Sequence, residues 1–479
     1  MLNAVNWTAR LRDLAAKARV PGATLGIWSD EQEVLAAHGV LNRTTQVPVT
    51  GDSLFQIGSI TKIWTTTMIM QLIDEGLLSL DMTVADALPG IRLGTADIGG
   101  QVAVWHLLTH TSGIDGDIFT DTGRGDDCIE RYVDELAAAS STFGVGAAYS
   151  YCNSGFVLLG RIIEVLDGQS WDESLRERLT GPLALTQTVT LPEEAILYRA
   201  AVGHHADGTA VHVWGLPRSF SPAGLITATA SDLLTFARLH LDGGIAPDGK
   251  WLLSEAAVSG MQQPQAAIPD FAMPGAAIGL GWRLNDWGGR RIVGHDGDTV
   301  GQSAYLRIDP EARVAACLLT NSAESESLFR ELFNEVFGSL VGVTMPAVPR
   351  PGALAPEGAG DVGGSGGIEG SGFTGGSGFT GGLELGLAQH AGRYERTSRR
   401  FDVSVRDGQL HIVLTMTGNL ADLTNSEPEE LILYPADPSG SRFLMRSHDD
   451  EPWVPLSFGQ LADGSPYLYL SGRVTPRVG

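Results

Sequence analysis

Apolar positions recur with two different periods along this chain, and the changes of period divide it into segments. From Met1 to Val20, Trp7, Leu11, Leu14 and Ala18 fall at helical spacing among Arg10, Arg12, Asp13, Lys17 and Arg19. That predicts an amphipathic helix and not the apolar core of a secretory signal. The apolar runs Ala23 to Trp28 and Val34 to Ala37, separated by Ser29-Asp30-Glu31, predict a β-hairpin. Ser59 to Glu75 is apolar on nearly every face, with Ile60, Ile63, Trp64, Met68, Ile69, Met70, Leu72 and Ile73, and it stops at Gly76. This is the pattern of a buried central helix. Helical patterns follow at Val104 to Leu108, Phe156 to Leu166, Ala230 to Leu241 and Leu328 to Leu340; Ile292 to Val293, Ser303 to Ile308 and Val314 to Thr320 read as strands. Helices therefore lie between an early and a late group of strands.

Beyond Pro346 the composition turns to Pro and then to Gly and Ser, with a tandem Gly-Ser-Gly-Phe-Thr-Gly repeat at 370–375 and 376–381. This predicts a flexible linker. Gly363 to Gly367 inside it spells G-x-S-x-G, but no strand precedes it and no helix follows, so the match is accidental. Short alternating runs then recur at Phe401 to Val405, Gln409 to Leu414, Glu430 to Leu433, Arg442 to Met445, Pro455 to Phe458 and Pro466 to Leu470, with turns such as Asp407-Gly408 and Asp463-Gly464 between some of them. They predict a small antiparallel β-barrel or sandwich. The expected organisation is a catalytic domain over 1–345, a linker over 346–386 and an antiparallel β-domain over 387–479.

Composition narrows the functions open to such a chain. With 43% hydrophobic and 18% charged residues it can bury a large core, so disorder is excluded. The formal charge of −24 repels phosphate backbones and anionic lipid, so neither nucleic acid nor a membrane is an expected partner. Cys128, Cys152 and Cys317 form neither a disulfide framework nor a metal-ligand pair, and no apolar run is long enough to span a bilayer. A cytoplasmic protein without metal or cofactor is expected.

Three short segments carry candidate chemistry. In Gly58-Ser59-Ile60-Thr61-Lys62 a serine at the start of an apolar helix lies in the positive field of the helix end, with Lys62 one turn on over the same face. A lysine in an apolar site binds its proton less tightly and can help to deprotonate a serine hydroxyl. Tyr151-Cys152-Asn153 offers a phenol able to relay protons and an amide able to contact a substrate. His295-Asp296-Gly297, followed by Asp298, ends a strand at a glycine that permits close backbone approach. Other clusters read as bland. Asp115, Asp117, Asp121, Asp126 and Asp127 lack the spacing of a calcium loop and read as a solvated acidic loop. Adjacent His204 and His205 do not suit one ion, and His106 with His110 reads as a helix end.

The order S-x-x-K, Y-x-N, H-x-G resembles the serine β-lactamase and penicillin-binding-protein superfamily, and Leu107 to Gly113, Pro222 to Leu225 and Gly279 to Trp282 are similar to segments of its class C-like branch. The resemblance covers roughly Val20 to Phe337. It implies an α+β fold, an antiparallel sheet with a helical subdomain, and a lipocalin-like barrel after the linker. By the same resemblance Ser59 is the nucleophile, Lys62 and Tyr151 the base system, Asn153 a substrate contact, and His295 to Gly297 the strand edge that holds the acyl group, with the N–H groups of Ser59 and Asp298 around the oxyanion. β-Lactamases proper usually carry Lys-Thr-Gly in the third motif. The His form is common in esterases, D-aminopeptidase-like enzymes and penicillin-binding-protein-type thioesterases, and Asp296 with Asp298 is expected to repel anionic substrates. The expected partner is a small ester, amide or peptide, or a carrier-protein-bound peptidyl thioester that an internal amine closes into a macrolactam; a ligand-binding relative without catalysis is the contrasting class.

Overall fold

The computed structural model describes residues 4–351, 386–424, 427–448 and 452–478. The G-x-S-x-G match and the tandem repeat lie outside them. The chain divides into two compact units, the first Met1–Pro269 with Met273–Pro346 and the second chiefly Ala347–Gly479.

The first unit is built on an eight-stranded antiparallel sheet. Its strands are β1 (Gly22–Ser29), β2 (Gln32–Gly39), β3 (Ala266–Ala267), β4 (Ala277–Ile278), β5 (Arg283–Trp287), β6 (Arg290–Thr299), β7 (Gln302–Asp309) and β8 (Val314–Thr320), in the order β2-β1-β8-β7-β6-β5-β4-β3. The two ends of the unit meet where β1 pairs with β8, Ala23 opposite Thr320. Both faces of the sheet are covered. Val314, Ala316 and Leu318 of β8 join one apolar cluster, and Ala315, Cys317 and Leu319 join the other. A strand buried on both faces reads as an unbroken apolar run, which is how it stands in the sequence.

One face is covered by α1 (Ala4–Lys17) and the late helix α6 (Glu326–Leu340), whose Phe329, Phe333 and Phe337 pack with Leu11 and Leu14. The other is covered by α2 (Thr61–Asp74), α3 (Val104–Leu108), α4 (Asn153–Asp167) and α5 (Ala230–Leu241). α2 is buried along Thr61 to Leu72, as its lack of a polar face demands, and Trp64 stacks on Phe236 of α5 at 3.8 Å between ring centroids. Gly160 in the middle of α4 lets that helix lie directly on Pro222; a Cβ at 160 would stand 2.1 Å from the proline Cγ.

The second unit contains a closed eight-stranded barrel formed by Gly392–Arg396, Arg399–Arg406, Gln409–Met416, Glu429–Pro435, Arg442–Met445, Val454–Gln460, Pro466–Leu470 and Arg473–Val478. The first and last strands pair, Arg393 with Val478, so no edge is left open. Phe401, Ile412, Leu433, Phe458 and Leu468 fill its interior. Sequence periodicity missed the two closing strands because Arg393, Glu395, Arg396, Arg473 and Arg477 hide their alternation. No helix among the described residues is long and apolar enough to cross a membrane. The three cysteines are free and buried.

The Gly160–Pro222 contact yields a stability test. On an open helix Gly→Ala stabilises by about 1 kcal/mol. Gly160→Ala is expected instead to destabilise by about 1–3 kcal/mol in urea melts, because the added methyl has no room; a stabilised variant would contradict this packing.

Candidate active site

Ser59 lies in a single 3₁₀ turn, Gly58–Ile60, that runs into α2. The turn touches β6 backbone to backbone, and two glycines make that contact possible. Gly58 has φ +51°, and a Cβ there would meet Asp298 N at 2.7 Å; a Cβ on Gly297 would meet Ile57 O at 1.9 Å and Ser59 N at 2.8 Å. The N–H groups of Ser59 and Asp298 are thereby brought to the same corner of the cleft.

Lys62, on the first turn of α2, is 0% exposed. Its Nζ donates to Ser59 Oγ at 3.0 Å and to the Ala223 carbonyl at 2.7 Å. It also stands 4.9 Å from the centroid of the Tyr151 ring and 5.6 Å from that of Phe156. The Ala223 carbonyl is held in place because Thr65 Oγ1 donates to Pro222 O at 2.7 Å and Ile226 N donates to Thr61 Oγ1 at 3.2 Å. The apolar face of α2 thus carries a row of threonines that fasten it to the segment opposite Lys62.

Tyr151 is buried and packed against His110, ring centroids 4.4 Å apart. His110 closes the helix end, as expected from the sequence: His110 N donates to Leu107 O at 3.4 Å and Thr111 N to His106 O at 2.9 Å. α3 stops at Leu108, and His110 sits beyond it at φ +58°, where its Nδ1 accepts from Cys152 N at 3.0 Å and its carbonyl accepts from Ser150 N at 2.9 Å. His110 therefore holds both sides of the Tyr151 loop, one through its ring and the other through its backbone carbonyl. Asn153 begins α4, whose cap is Cys152, the Sγ accepting from Gly155 N at 3.2 Å. Asn153 Nδ2 donates to Asp117 Oδ1 at 2.9 Å. The solvated acidic loop expected from the sequence is thus split. Asp121, Asp126 and Asp127 are exposed, but Asp115 and Asp117 are buried beside the Tyr151 loop. The signal available in the sequence was Gly116, whose missing side chain lets this segment lie on Cys152; a Cβ there would stand 2.4 Å from Cys152 Cα.

His295 is 1% exposed, with its ring centroid 6.1 Å from that of Tyr151. Nδ1 donates to the Asp296 carbonyl at 2.6 Å, which leaves Nε2 as the acceptor. Burial, with Arg283 and Lys62 nearby, pushes its pKa well below the ordinary imidazole value, so the ring is neutral. The Asp296 carboxylate is not bare. Arg307 of β7 grips it through two nitrogens at 2.6 and 3.1 Å, and Arg283 of β5 lies 3.7 Å away. Of the two carboxylates expected to repel anions, one is compensated, and the other, Asp298, accepts from Ser303 Oγ at 2.8 Å. Sequence reasoning missed both arginines. Arg307, a lone charge within the apolar run Ser303 to Ile308, was the visible signal. The β5–β6 ladder ends at Arg283 opposite Gly294, so among the described residues no strand pairs with 295–299 on that side.

An antiparallel sheet layered by helices, with a half-buried serine on a buried lysine beside a half-open strand, defines the β-lactamase/transpeptidase class of fold, whose members include serine hydrolases. The pattern of the Beta-lactamase family matches residues 7–337, and the chain belongs to that family. It is 46% identical over 363 residues to a protein named penicillin-binding protein 4 of Amycolatopsis lactamdurans, covering 73% of this chain and 95% of that one. The crystal structure of SurE superposes with a TM-score of 0.75 at 27% identity over 99% of both chains. The D-amino acid amidase of Ochrobactrum anthropi, solved with L-phenylalanine amide, matches 70% of this chain and 96% of its own at a TM-score of 0.58 and 25% identity.

The neutral imidazole of His295 has a consequence for pH. The unfolded chain takes up this proton near pH 6.5, whereas the folded chain does not, so stability falls as pH drops below about 6.5 by up to ~1.4 kcal/mol per unit for this group. His240, pushed down to about 3 by burial, acts in the same direction. His295→Gln is expected to lose less stability than the parent between pH 7 and pH 5 in urea melts; parallel curves would show that His295 is protonated in the folded state.

Proposed function

We propose that this protein is an acyl-transferring serine enzyme that attacks ester or amide carbonyls with Ser59. The observation that carries the reading is the fully buried Lys62 with its Nζ 3.0 Å from Ser59 Oγ. A lysine so placed has no solvent role to account for it. The Lys62–Tyr151 pair takes the hydroxyl proton as Oγ bonds to the carbonyl carbon, the Tyr151 phenolate being the acceptor beside the Lys62 ammonium that stabilises it. The N–H groups of Ser59 and Asp298 receive the developing oxyanion at the point where Gly58 and Gly297 allow turn and strand to touch. As the tetrahedral intermediate collapses, the proton passes to the leaving oxygen or nitrogen. The acyl chain then lies along the unpaired edge of β6 from His295 to Asp298, with Asn153 facing it from the opposite wall. Neutral His295 contributes an acceptor at Nε2 instead of a cation. Water or an amine resolves the acyl-enzyme.

D-configured amino-acyl groups are the favoured substrates in this reading. A crystal structure of SurE with D-Leu superposes over 99% of both chains at 26% identity and a TM-score of 0.73, and D-aminopeptidase of Brucella anthropi is 25% identical over 295 residues. The His form of the third motif, His295-Asp296-Gly297, which resembles that of penicillin-binding-protein-type thioesterases, supports a second reading, in which an amine of the same peptide resolves the acyl-enzyme and closes a macrolactam from a carrier-bound peptidyl thioester. Mass spectrometry of the products from a peptidyl thioester separates the two readings, since hydrolysis gives the linear acid alone.

Ser59→Ala is expected to lower p-nitrophenyl ester turnover at least about a thousandfold, and the parent to form a covalent fluorophosphonate adduct that the variant does not. Turnover retained in the variant would put the nucleophile elsewhere. A parent protein inert to both reagents would leave only the ligand-binding class.

A further inference from the structure

Lys62 is carried by a helix, but Tyr151 stands in a loop outside any helix or strand, so no element of its own holds the phenol against the ammonium. One residue supplies what the loop lacks. The peptide N–H groups on either side of Tyr151 both donate to His110: Ser150 N to its carbonyl at 2.9 Å and Cys152 N to its Nδ1 at 3.0 Å. The His110 ring, 0% exposed, also packs on Tyr151 and on Phe156 of α4, with centroids 4.4 and 5.2 Å away. A ring nitrogen that accepts from a peptide N–H keeps its lone pair, so the proton of this imidazole sits on Nε2 and the ring is neutral.

The two arms of the clasp differ in kind. The carbonyl arm belongs to the backbone and survives a change of side chain, whereas the Nδ1 arm does not. Without it the loop stays hinged at Ser150 and comes loose at Cys152. We propose that His110 is a positioning residue for Tyr151, its Nδ1 lone pair fixing the Cys152 peptide so that the phenol stays beside Lys62 through both proton transfers. The inference rests on the acyl-transfer reading and deepens it by naming what aligns the base. The charged and titratable groups around Tyr151 are Lys62 of α2, 4.9 Å from the ring centroid, Arg283 of β5 at 5.6 Å and neutral His295 of β6 at 6.1 Å, with Asp115 and Asp117 buried beside the loop. A phenol that drifts from Lys62 loses a cation that favours its ionised form.

The test compares the parent protein with His110→Asn and His110→Leu. Asn carries Oδ1 on Cγ, where His carries Nδ1, and Leu has the same branched outline with no acceptor. His110→Leu is expected to lower kcat/KM for p-nitrophenyl acetate about a hundredfold, the cost of a misplacement of ~1 Å in a catalytic group, and to move the acid limb of the kcat/KM profile up by about one pH unit. His110→Asn is expected to stay within about tenfold of the parent with the limb unmoved. If the Leu variant does not fold in urea melts, His110→Gly, which meets φ +58° without strain, replaces it. Parent-like rates in the Leu variant, equal losses in Asn and Leu, or a lowered rate with the acid limb in place, the mark of lost packing alone, would overturn the proposal. A parent inert to the ester would remove the acyl-transfer reading and this inference with it, whereas an active parent with any of those three patterns removes the inference alone.

Discussion

A lysine ammonium with no exposure to water is the constraint around which the first unit is arranged. Taking such a group out of water costs several kcal/mol even after relaxation, unless partners replace its hydration. Here the replacements are the Ala223 carbonyl, Ser59 Oγ and the faces of Tyr151 and Phe156. Each is delivered by a different stretch of chain, so each stretch has to be fixed. Thr65 fastens the 222–223 segment, Gly160 lets α4 lie against Pro222, and His110 clasps the loop that carries Tyr151. Packing over a long span of the chain therefore serves one small polar site.

On the strand side the same economy of charge recurs in the opposite sense. Burial keeps His295, on the strand edge beside the serine turn, neutral. The positive charge near this strand belongs to Arg283 and Arg307, which hold the Asp296 carboxylate between them. An anion approaching the strand therefore meets a compensated pair where the sequence suggested two bare acids, and the electrostatic objection to anionic substrates loses half its basis. The neutral imidazole fits a cleft that recognises hydrogen-bonding groups more than charge.

The barrel of the second unit solves a separate problem. Eight short strands rich in alternating residues would leave two open edges as a flat sheet, and closure removes them. Its interior is filled by aromatic and aliphatic side chains, so its stability needs no ligand.

Much of this protein was legible in its sequence where a pattern is local. The unbroken apolar run of α2, the doubly buried strand Val314–Thr320 and the Ser59–Lys62 spacing are all set by periodicity and by the one-turn repeat of a helix. The partners of Asp117, His110, Arg283 and Arg307 were not, nor were the closing strands of the barrel. Those depend on contacts between residues far apart in the chain: Asp117 meets Asn153 only because Gly116 lies on Cys152, and Asp296 loses its bare charge only because strands from two other segments place arginines beside it. Local sequence determines which groups a segment offers. Tertiary packing decides which of them are stripped of water and which partner each then faces, because desolvation and hydrogen-bond satisfaction are properties of the assembled neighbourhood and not of the segment.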